Sequence, residues 1–289
     1  MKQLIVNADD FGLTSGVNRA VIEGHRHGII TSATLMANMP GFDEAVHLAR
    51  DHPSLGVGLH FNLTQGAPVA APAQVRSLTN ARGEFWGTAT TLARRSLTGR
   101  LRTEEIIIEL RTQIEKALAA GLRLTHLDSH QHSHAIPQVF AAIARTIPDY
   151  GIAAVRLIGE RPHLIPLSFR VVIQSAVALG LKQLCHANRM LGPDPQPHTV
   201  RAFFGIAQTG CWTKRWLMEV IERLPAGVSE LMCHPGYEDD ELGQVTTRLR
   251  TSRAVELKLL TDPQVAAWLR ECAVILVNYS QLGVGPPII

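Results

Sequence analysis

The sequence predicts an α/β protein with about seven parallel strands, arranged as a parallel barrel or as an open parallel sheet. Two observations lead to this fold class. Short apolar segments alternate with amphipathic helical segments along the 289 residues, without a repeat period. Polar groups suited to catalysis or metal binding stand at the ends of five apolar segments. Such strand ends meet around one mouth in a barrel, so the second observation favours the barrel.

Composition indicates a globular protein. Hydrophobic residues make up 46% and charged residues 18%, and the net charge of +3 is too small to indicate a nucleic-acid partner. We expect a single domain over residues 1–289, as is common for α/β barrels of this length. No CxxC pair indicates a zinc ribbon or a redox motif, because the cysteines stand far apart, at Cys185, Cys211, Cys233 and Cys272.

Neither a signal peptide nor a transmembrane helix is predicted. The short apolar start of the chain leads directly into polar residues. The most apolar later stretch, residues 169–184, is interrupted by Arg170, Gln174, Gly180 and Lys182. We therefore expect a cytoplasmic location, and a peripheral contact with a membrane surface stays open.

The first predicted strand, Lys2–Val6, ends in Asn7-Ala8-Asp9-Asp10-Phe11-Gly12. A helix follows from about Ser15, the expected N-cap. Adjacent aspartates on a strand point to opposite faces, so only one of Asp9 and Asp10 would enter a pocket, unless the strand already curls into its loop. Two carboxylates at this place indicate chemistry, and an Asx-turn with a helix cap explains them equally well.

The second and third strands are predicted at Gly28–Met36 and Gly56–Thr64. His60 and Asn62 share a face at the end of the third strand. The apolar neighbours of His60 are typical of a core histidine, whereas its position at a strand end supports a metal ligand.

Residues 65–102 are the least regular stretch and are predicted to be a loop-rich insertion. Phe85 and Trp86 either line a sugar-binding surface or hold this long loop in place. Thr103 then begins an amphipathic helix that runs to about Ala120.

The densest group of metal-competent side chains lies at the end of a short strand predicted at Arg123–Leu127. It spans Thr125-His126-Leu127-Asp128-Ser129-His130-Gln131-His132-Ser133-His134. If the strand persists, alternation places His126, Asp128 and His130 on one face. If a helix begins near Ser129, His130 and His134 form an i, i+4 pair instead. Imidazole and carboxylate together suit zinc and several other divalent metals. The alternative is a solvated, histidine-rich turn.

Two further strand ends carry polar groups. Arg156 stands in a strand predicted at Ala153–Leu157, where it points at the mouth or is buried against a carboxylate. His234 ends the strand that begins at Glu230, just before Pro235-Gly236, and a histidine in a tight turn is the alternative. The remaining predicted elements are helices at 42–51, 137–144, 212–224, 248–260 and 262–271, one or two helices at 165–191, and strands at 198–204 and 273–279. In the helix at 248–260 we expect surface pairs among Arg250, Arg253 and Glu256.

Four motifs in this order resemble the YdjC-like carbohydrate deacetylases, which include the chitooligosaccharide deacetylase group. They are Asn7-Ala8-Asp9-Asp10-Phe11-Gly12, Gly58-Leu59-His60-Phe61-Asn62-Leu63-Thr64, Thr125-His126-Leu127-Asp128-Ser129-His130-Gln131-His132 and Cys233-His234-Pro235-Gly236. The tail from Arg248 to Pro263 looks more like the hopanoid-biosynthesis-associated branch.

The resemblance implies a distorted (β/α) barrel that holds one divalent metal, Mg or Zn. By position the metal ligands are Asp10, His60 and His130, and Asp9 is the general base, with the roles of the two aspartates open to exchange. His234 is the expected general acid, with His132 or Asp128 as alternatives. Asp128, His132 and Arg156 are otherwise expected to contact substrate or to support the residues that do.

The reaction implied is hydrolysis of an N-acetyl group on an N-acetylglucosamine-containing substrate. That substrate is a glycolipid, such as an N-acetylglucosaminyl hopanoid, or a chito-oligosaccharide, and the family also suggests a homodimer. Two other functions remain open. A metal-dependent phosphohydrolase would show more Lys or Arg around the site than Arg156 alone. A catalytically silent sugar-binding protein would bind its ligand in the presence of a chelator.

Overall fold

The computed structural model of the chain describes residues 1–160, 169–191 and 198–282. In these residues seven strands pair in parallel, in the order β4-β3-β2-β1-β6-β5, with β7 beside the start of β1. The strands are β1 (Lys2–Phe11), β2 (Ser32–Leu35), β3 (Gly56–Phe61), β4 (Leu127–Ser129), β5 (Ala202–Phe204), β6 (Gly227–Cys233) and β7 (Val274–Leu276). The prediction of about seven parallel strands is confirmed.

The sheet curls into a distorted barrel, because its pairing continues beyond β4. The amide of Leu127 donates to the carbonyl of Ala154 at 3.0 Å, and the amide of Val155 donates to the carbonyl of His198 at 3.1 Å, shortly before β5. The strand predicted at Ala153–Leu157 is thereby reduced to bridges at Ala154 and Val155. The α/β barrel class is confirmed.

Helices surround the sheet. Within the described part of the chain they are α1 (Ser15–His27), α2 (Phe42–Asp51), α3 (Ala89–Leu97), α4 (Thr103–Ala119), α5 (Pro137–Thr146), α6 (Phe169–Leu191), α7 (Lys214–Glu222), α8 (Asp240–Gln244), α9 (Thr251–Leu260) and α10 (Pro263–Glu271). Thr14, rather than Ser15, caps α1 by accepting a hydrogen bond from the amide of Val17. Residues 165–168 of the helix predicted from 165 lie outside the described residues, and none of the described helices is both long and apolar enough to cross a bilayer.

Alternation along β1 separates two environments. Leu4, Val6 and Ala8 pack into the large apolar core, which α-helices cover. Ile5 points to the other face and packs with Ala154, Val277 and Tyr279 inside the barrel. Asn7 and Asp9 follow Ile5 on this inner face by alternation, so the interior becomes polar toward the carboxyl ends of the strands.

The stretch predicted to be a loop-rich insertion, residues 65–102, also contains α3, a 3-10 turn at Pro72–Gln74 and a bridge between Thr79 and Phe85. Phe85 is buried, and the Arg95 guanidinium lies 3.9 Å from the centre of the Trp86 ring. These contacts favour the interpretation that the two aromatic residues hold the loop in place. The assignment of residues 1–289 to one domain stays a prediction.

Candidate active site

A β-bulge at the end of β1 turns two adjacent carboxylates toward the same region. The pairing of β1 with β2 shifts register between Ala8 and Phe11, and Asp10 has φ 66°. The left-handed region is uncommon for a residue with a side chain and is often found at functional sites. Because the strand turns here, Asp9 and Asp10 both reach the polar interior. Strand β1 therefore curls before it ends, so both aspartates face the site, which is the exception that the sequence left open.

Asp10, His60 and His130 form a compact group of potential metal ligands. Asp10 Oδ1 lies 3.0 Å from His130 Nδ1 and 3.4 Å from His60 Nε2, and the two ring nitrogens are 3.3 Å apart. Ligands held about 2.0–2.1 Å from one metal ion are separated by roughly 3.0–3.4 Å in octahedral or tetrahedral geometry. The buried Asp10 Oδ1 accepts no hydrogen bond from the described residues. The donor types, their spacing and this free oxygen fit a divalent ion.

The charge around this group also favours a cation. In the buried layer the guanidiniums of Arg156 and Arg253 face the carboxyl groups of Asp9, Asp10, Asp128, Glu230 and Glu256. Burial alone would lower the pKa of His60, but Asp128, Asp10 and Asp9 outweigh it and raise that pKa to about 10. The site therefore attracts positive charge, as a proton on His60 or as a metal ion that replaces it.

Asp128 orients the His60 imidazole through its Nδ1 atom, on the side away from Asp10 and His130. Asp128 Oδ1 lies 2.6 Å from His60 Nδ1, and Thr34 Oγ1 donates to Asp128 Oδ2 at 3.1 Å. A carboxylate that accepts from Nδ1–H leaves the Nε2 lone pair free to point at Asp10 and His130. Because Asp128 is fully buried beneath the imidazole, this geometry supports an orienting role over that of general acid.

Arg156 is buried under the site and contacts three carboxylates. It donates to both oxygens of Asp9 at 2.7 Å, and its guanidinium lies 2.6 Å from Asp128 Oδ2 and 2.7 Å from Glu230 Oε1. Of the two orientations left open by the sequence, it adopts the one against carboxylates. Asp9, His60 and Asp128 also bring three donor atoms within 4.8 Å, but the Arg156 cation already lies against both of these aspartates.

His234, at the carboxyl end of β6, approaches the same carboxylate. Its Nε2 lies 4.0 Å from Asp9 Oδ2, and its amide donates to Glu256 at 2.6 Å. Burial lowers the pKa of His234 to about 4, although Asp9 and Asp10 oppose the shift. Burial would raise the pKa of Asp9, but the Arg156 guanidinium prevails and holds it well below its usual range. At neutral pH the carboxylate is therefore ionised and the imidazole neutral.

Comparison with known proteins identifies the family of the chain. The sequence profile of a family described as YdjC-like protein matches residues 3–271. The chain belongs to the YdjC-like family. It is 37% identical over 280 residues to a protein named carbohydrate deacetylase from Geobacillus stearothermophilus, a match that covers 96% of each chain. A relative of the same name from Brevibacillus brevis is 36% identical, with 97% of this chain and 100% of the relative covered.

A solved structure has the same fold. It is a protein from Enterococcus faecalis V583, described as having a proposed role in cellobiose-phosphate cleavage. The TM-score is 0.76 at 26% identity, and the match covers 97% of this chain and 98% of that one. The resemblance to YdjC-like proteins that the four motifs indicated is confirmed.

In this YdjC-like protein the candidate residues line the floor of a cavity of about 1090 Å³. Its floor contains Asp9, Asp10, His60, His130 and His234, and its walls come from α6 and from residues 243–250. Small-molecule sites usually have volumes of about 300–1,000 Å³, so this cavity has room for a ligand at the upper end of that range. His132 also lines the cavity, and burial lowers the pKa of its imidazole well below the usual value.

The histidine-rich segment follows the alternating pattern rather than the helical one. His126 contacts Asn7 Oδ1 at 3.0 Å, Asp128 contacts His60, and His130 contacts Asp10, so all three face the barrel interior. Gln131 and His132 have φ of 53° and 56°, which interrupts any helix after Ser129. His134 is buried, with Nδ1 2.7 Å from Ser129 Oγ. The alternative of an i, i+4 pair of His130 and His134 is therefore wrong.

The YdjC-like site also depends on charged residues that the sequence interpretation placed elsewhere. Arg253 and Glu256 were expected in surface pairs, but both are buried. Arg253 Nη2 donates to Asp10 Oδ2 at 2.6 Å, and Glu256 accepts from the amide of His234. Arg253, Glu256, Leu257 and Leu260 are the buried positions of α9 and have the i, i+3, i+4, i+7 spacing of a core-facing stripe. That spacing was the available sequence signal for their burial, although a helix this short can show it on an exposed face too.

Glu230 was missed as well, because its only sequence signal is its place inside an apolar strand. It is fully buried in β6 and lies against Arg156, and Tyr279 donates to its second oxygen at 2.5 Å. The Tyr279 ring stacks on His126, with centroids 3.7 Å apart. Together these residues form the polar layer that supports Asp9 and Arg156 from inside the barrel.

Proposed function

We propose that this protein is a metal-dependent carbohydrate deacetylase that hydrolyses the N-acetyl group of an N-acetylglucosamine-containing substrate. The observation that carries the proposal is the group of Asp10, His60 and His130, whose donor atoms lie 3.0–3.4 Å apart at the floor of a cavity shared with Asp9 and His234. The relatives named carbohydrate deacetylase support the reaction class.

The contacts of Asp9 and Asp10 support separate roles for the two aspartates. Asp10 Oδ1 faces both histidines, whereas both oxygens of Asp9 are held from below by Arg156. This difference supports Asp10 as the metal ligand and Asp9 as the base. Asp10, His60 and His130 would hold a divalent ion, Mg or Zn, which when bound would polarise the acyl oxygen and lower the pKa of water.

Asp9 has one oxygen available for proton transfer. Oδ1 accepts hydrogen bonds from Arg156 and Asn7, whereas Oδ2 accepts only from Arg156 among the described residues. A carboxylate oxygen has two acceptor positions, so Oδ2 keeps one on the side of His234. Asp9 Oδ2 takes a proton from the attacking water, while the acyl carbon gains the water oxygen.

His234 completes the proton path. Its neutral imidazole, 4.0 Å from Asp9 Oδ2, accepts the proton that Asp9 took from water. An imidazolium with a pKa of about 4 gives up its proton readily, so it protonates the sugar nitrogen as the carbon–nitrogen bond breaks. The products are acetate and a free amine. We prefer His234 as the acid because its Nε2 lies 4.0 Å from Asp9 Oδ2, whereas the Asp128 carboxylate is held between His60 and Arg156.

The cavity wall supports a glycolipid over a soluble chito-oligosaccharide as the substrate. Phe169, Ile173 and Val177 of α6 line the wall and are strongly exposed. An apolar wall beside a polar floor suits a molecule with an N-acetylated sugar at one end and a hydrocarbon at the other, such as an N-acetylglucosaminyl hopanoid. A free oligosaccharide would leave much of this wall in contact with water.

One observation favours a metal-dependent phosphohydrolase as the second candidate. Arg170, Arg248 and Arg250 line the cavity, which is the enrichment in arginine that such an enzyme would need. These three side chains are exposed at the rim. The arginines that touch the proposed metal and base residues, Arg156 and Arg253, are instead occupied by carboxylates. The deacetylase therefore remains the better supported function.

Acetate release tests the proposal. Lipid-linked N-acetylglucosamine, soluble chito-oligosaccharides and an aryl phosphate are incubated with metal-loaded protein, with chelator-treated protein and with His130→Ala. His47→Ala is the matched control, because His47 is exposed on α2, away from the cavity. We expect chelator-sensitive release of acetate that only His130→Ala abolishes.

The remaining outcomes distinguish the alternatives. Phosphate release without acetate release would establish the phosphohydrolase. Substrate binding that survives the chelator, without either product, would establish the silent sugar-binding protein. A preference for the soluble oligosaccharide would leave the deacetylase in place and reject the glycolipid.

A further inference from the structure

We propose that α6 binds an anionic membrane surface through its solvent-exposed face. Half of the exposed large apolar side chains in the described residues belong to this one helix. They are between 43% and 81% exposed and comprise Phe169, Val172, Ile173, Val177, Leu179, Leu184 and Met190. We call this surface the α6 apolar face. Isolated exposed apolar residues are ordinary, whereas a continuous patch indicates an interaction surface.

The apolar residues are continuous along the first half of the helix, and exposed Gln183 and His186 interrupt the same side further along. Positions 169, 172, 173, 176, 177 and 180 repeat at the spacing of one helical face, and all are apolar or glycine. The opposite side is the narrow stripe that packs on the protein. Ala178 and Cys185 contact a small core cluster that includes Phe203 and Met232. The helix thus directs its broad apolar side away from the barrel.

The positive charge of α6 favours an anionic partner. The 23 residues of α6 contain Arg170, Lys182 and Arg189 and no acidic residue. Arg170 lines the cavity rim together with Arg248 and Arg250. A helix with an apolar side and neighbouring cations lies in the headgroup region of an anionic bilayer, with its apolar side toward the acyl chains. A symmetric contact with a second copy of the chain would bring like charges together, which is unfavourable.

The docked surface would adjoin the cavity. Phe169, Ile173 and Val177 belong to the α6 apolar face and also line the cavity that contains Asp10 and His234. A bilayer on this face therefore lies beside the opening. No described helix is long and apolar enough to cross a bilayer, so the contact is made by one side of a helix lying on the surface.

Flotation with vesicles tests the proposal. The full-length protein is mixed with phosphatidylcholine vesicles that contain or lack phosphatidylglycerol. The triple variant Val172→Ser, Leu184→Ser, Met190→Ser removes exposed apolar side chains that do not line the cavity. The control is the variant Leu97→Ser, Val255→Ser, which changes exposed apolar residues on α3 and α9. Circular dichroism and thermal unfolding establish that all the proteins are folded.

We expect the wild type and the control to float with phosphatidylglycerol vesicles, and the triple variant to partition at least about tenfold more weakly. Binding should fall at high salt and on vesicles without phosphatidylglycerol. Equal flotation of the triple variant, or no flotation of the wild type, overturns the proposal. If light scattering then shows a dimer that the triple variant dissociates, a second copy covers the face instead.

The inference is independent of the proposed function, because flotation measures membrane binding without any turnover. If the protein floats but releases no acetate, the membrane-binding proposal stands and the deacetylase proposal fails. If the protein releases acetate but does not float, the deacetylase proposal stands and the membrane-binding proposal fails.

Discussion

Arg156 donates to both carboxylate oxygens of Asp9 at 2.7 Å, and neither side chain is accessible to solvent beyond 2%. The same guanidinium contacts Asp128 and Glu230. The Arg156 cation thus contacts three buried carboxylates: the proposed base Asp9, Asp128, which orients His60, and Glu230 in the polar layer inside the barrel. This cation holds both oxygens of the Asp9 carboxylate at the floor of the cavity.

Replacing Arg156 is expected to destabilise the fold. Arg156→Met leaves Asp9, Asp128 and Glu230 buried without their countercharge, which costs about 3–5 kcal/mol in the free energy of unfolding. Arg156→Lys keeps the charge and loses the bidentate contact, so an intermediate loss is expected. Urea unfolding measures both. The control, Arg111→Met, breaks an exposed ion pair with Asp149 and should cost far less, because solvent screens that pair. Equal losses at the two sites would contradict the role given to Arg156.

Asp128→Asn tests how His60 is oriented. The amide cannot accept from His60 Nδ1 with the strength of the carboxylate, so the affinity for a divalent metal should fall about 10- to 100-fold although every ligand is present. Competition with a chromophoric chelator measures this affinity. Asp149→Asn, at the protein surface, is the control and should bind metal like the wild type. Unchanged affinity in Asp128→Asn would remove Asp128 from the metal site.

The buried His134 should make stability depend on pH. Burial lowers its pKa from 6.5 to about 3, so the unfolded chain binds a proton that the folded protein excludes. Its contribution is complete above pH 6.5 and is lost as the pH falls toward 3. Glu160 and Glu256, whose pKa values burial raises to about 7, act in the opposite direction, so the test compares two proteins.

The stability advantage of the wild type over His134→Gln should shrink by about 1.4 kcal/mol per pH unit below pH 6.5. Urea unfolding of both proteins at several pH values between 6.5 and 5 measures this difference. A difference that does not vary with pH would show that His134 is protonated in the folded protein.

Glu256 positions His234 through the peptide backbone. Its carboxylate accepts from the His234 amide at 2.6 Å, while the imidazole faces Asp9. Glu256→Gln keeps an acceptor oxygen and should retain most of the turnover, whereas Glu256→Ala should lower kcat about 10- to 100-fold. Acetate release measures kcat, and metal binding should be unchanged in both. Equal loss in Glu256→Gln would assign the effect to the charge of Glu256 instead of the hydrogen bond.

Strand ends were the most predictable part of the molecule. Asp9, Asp10, His60, His130 and His234 each follow an apolar segment, and parallel topology brings such ends to one side of a sheet. Local chemistry was therefore sufficient to gather them. Local chemistry did not predict the conformation of the segment after Ser129. Gln131 and His132 adopt left-handed backbone angles, and no glycine stands there to indicate such a turn.

Buried charges were the least predictable part. A charged residue on a helix usually faces solvent. Helix α9 has only a few buried positions, and two of them, Arg253 and Glu256, are charged, so they were interpreted as surface residues. Arg253 and Asp10 are 243 residues apart in the chain, and Arg156 and Asp9 are 147 apart. No local pattern encodes a pairing over such distances.

The sequence by itself determined the fold class, the family and the five strand-end side chains that line the cavity, because hydrophobic alternation and motif order are properties of the linear chain. Only the tertiary structure decided which carboxylate faces the histidines, which guanidiniums neutralise the interior, and that α6 turns an apolar side outward. The physical reason is that burial is a property of packing. A charge, an imidazole or a leucine acquires its energetic role only when distant segments enclose it or leave it exposed.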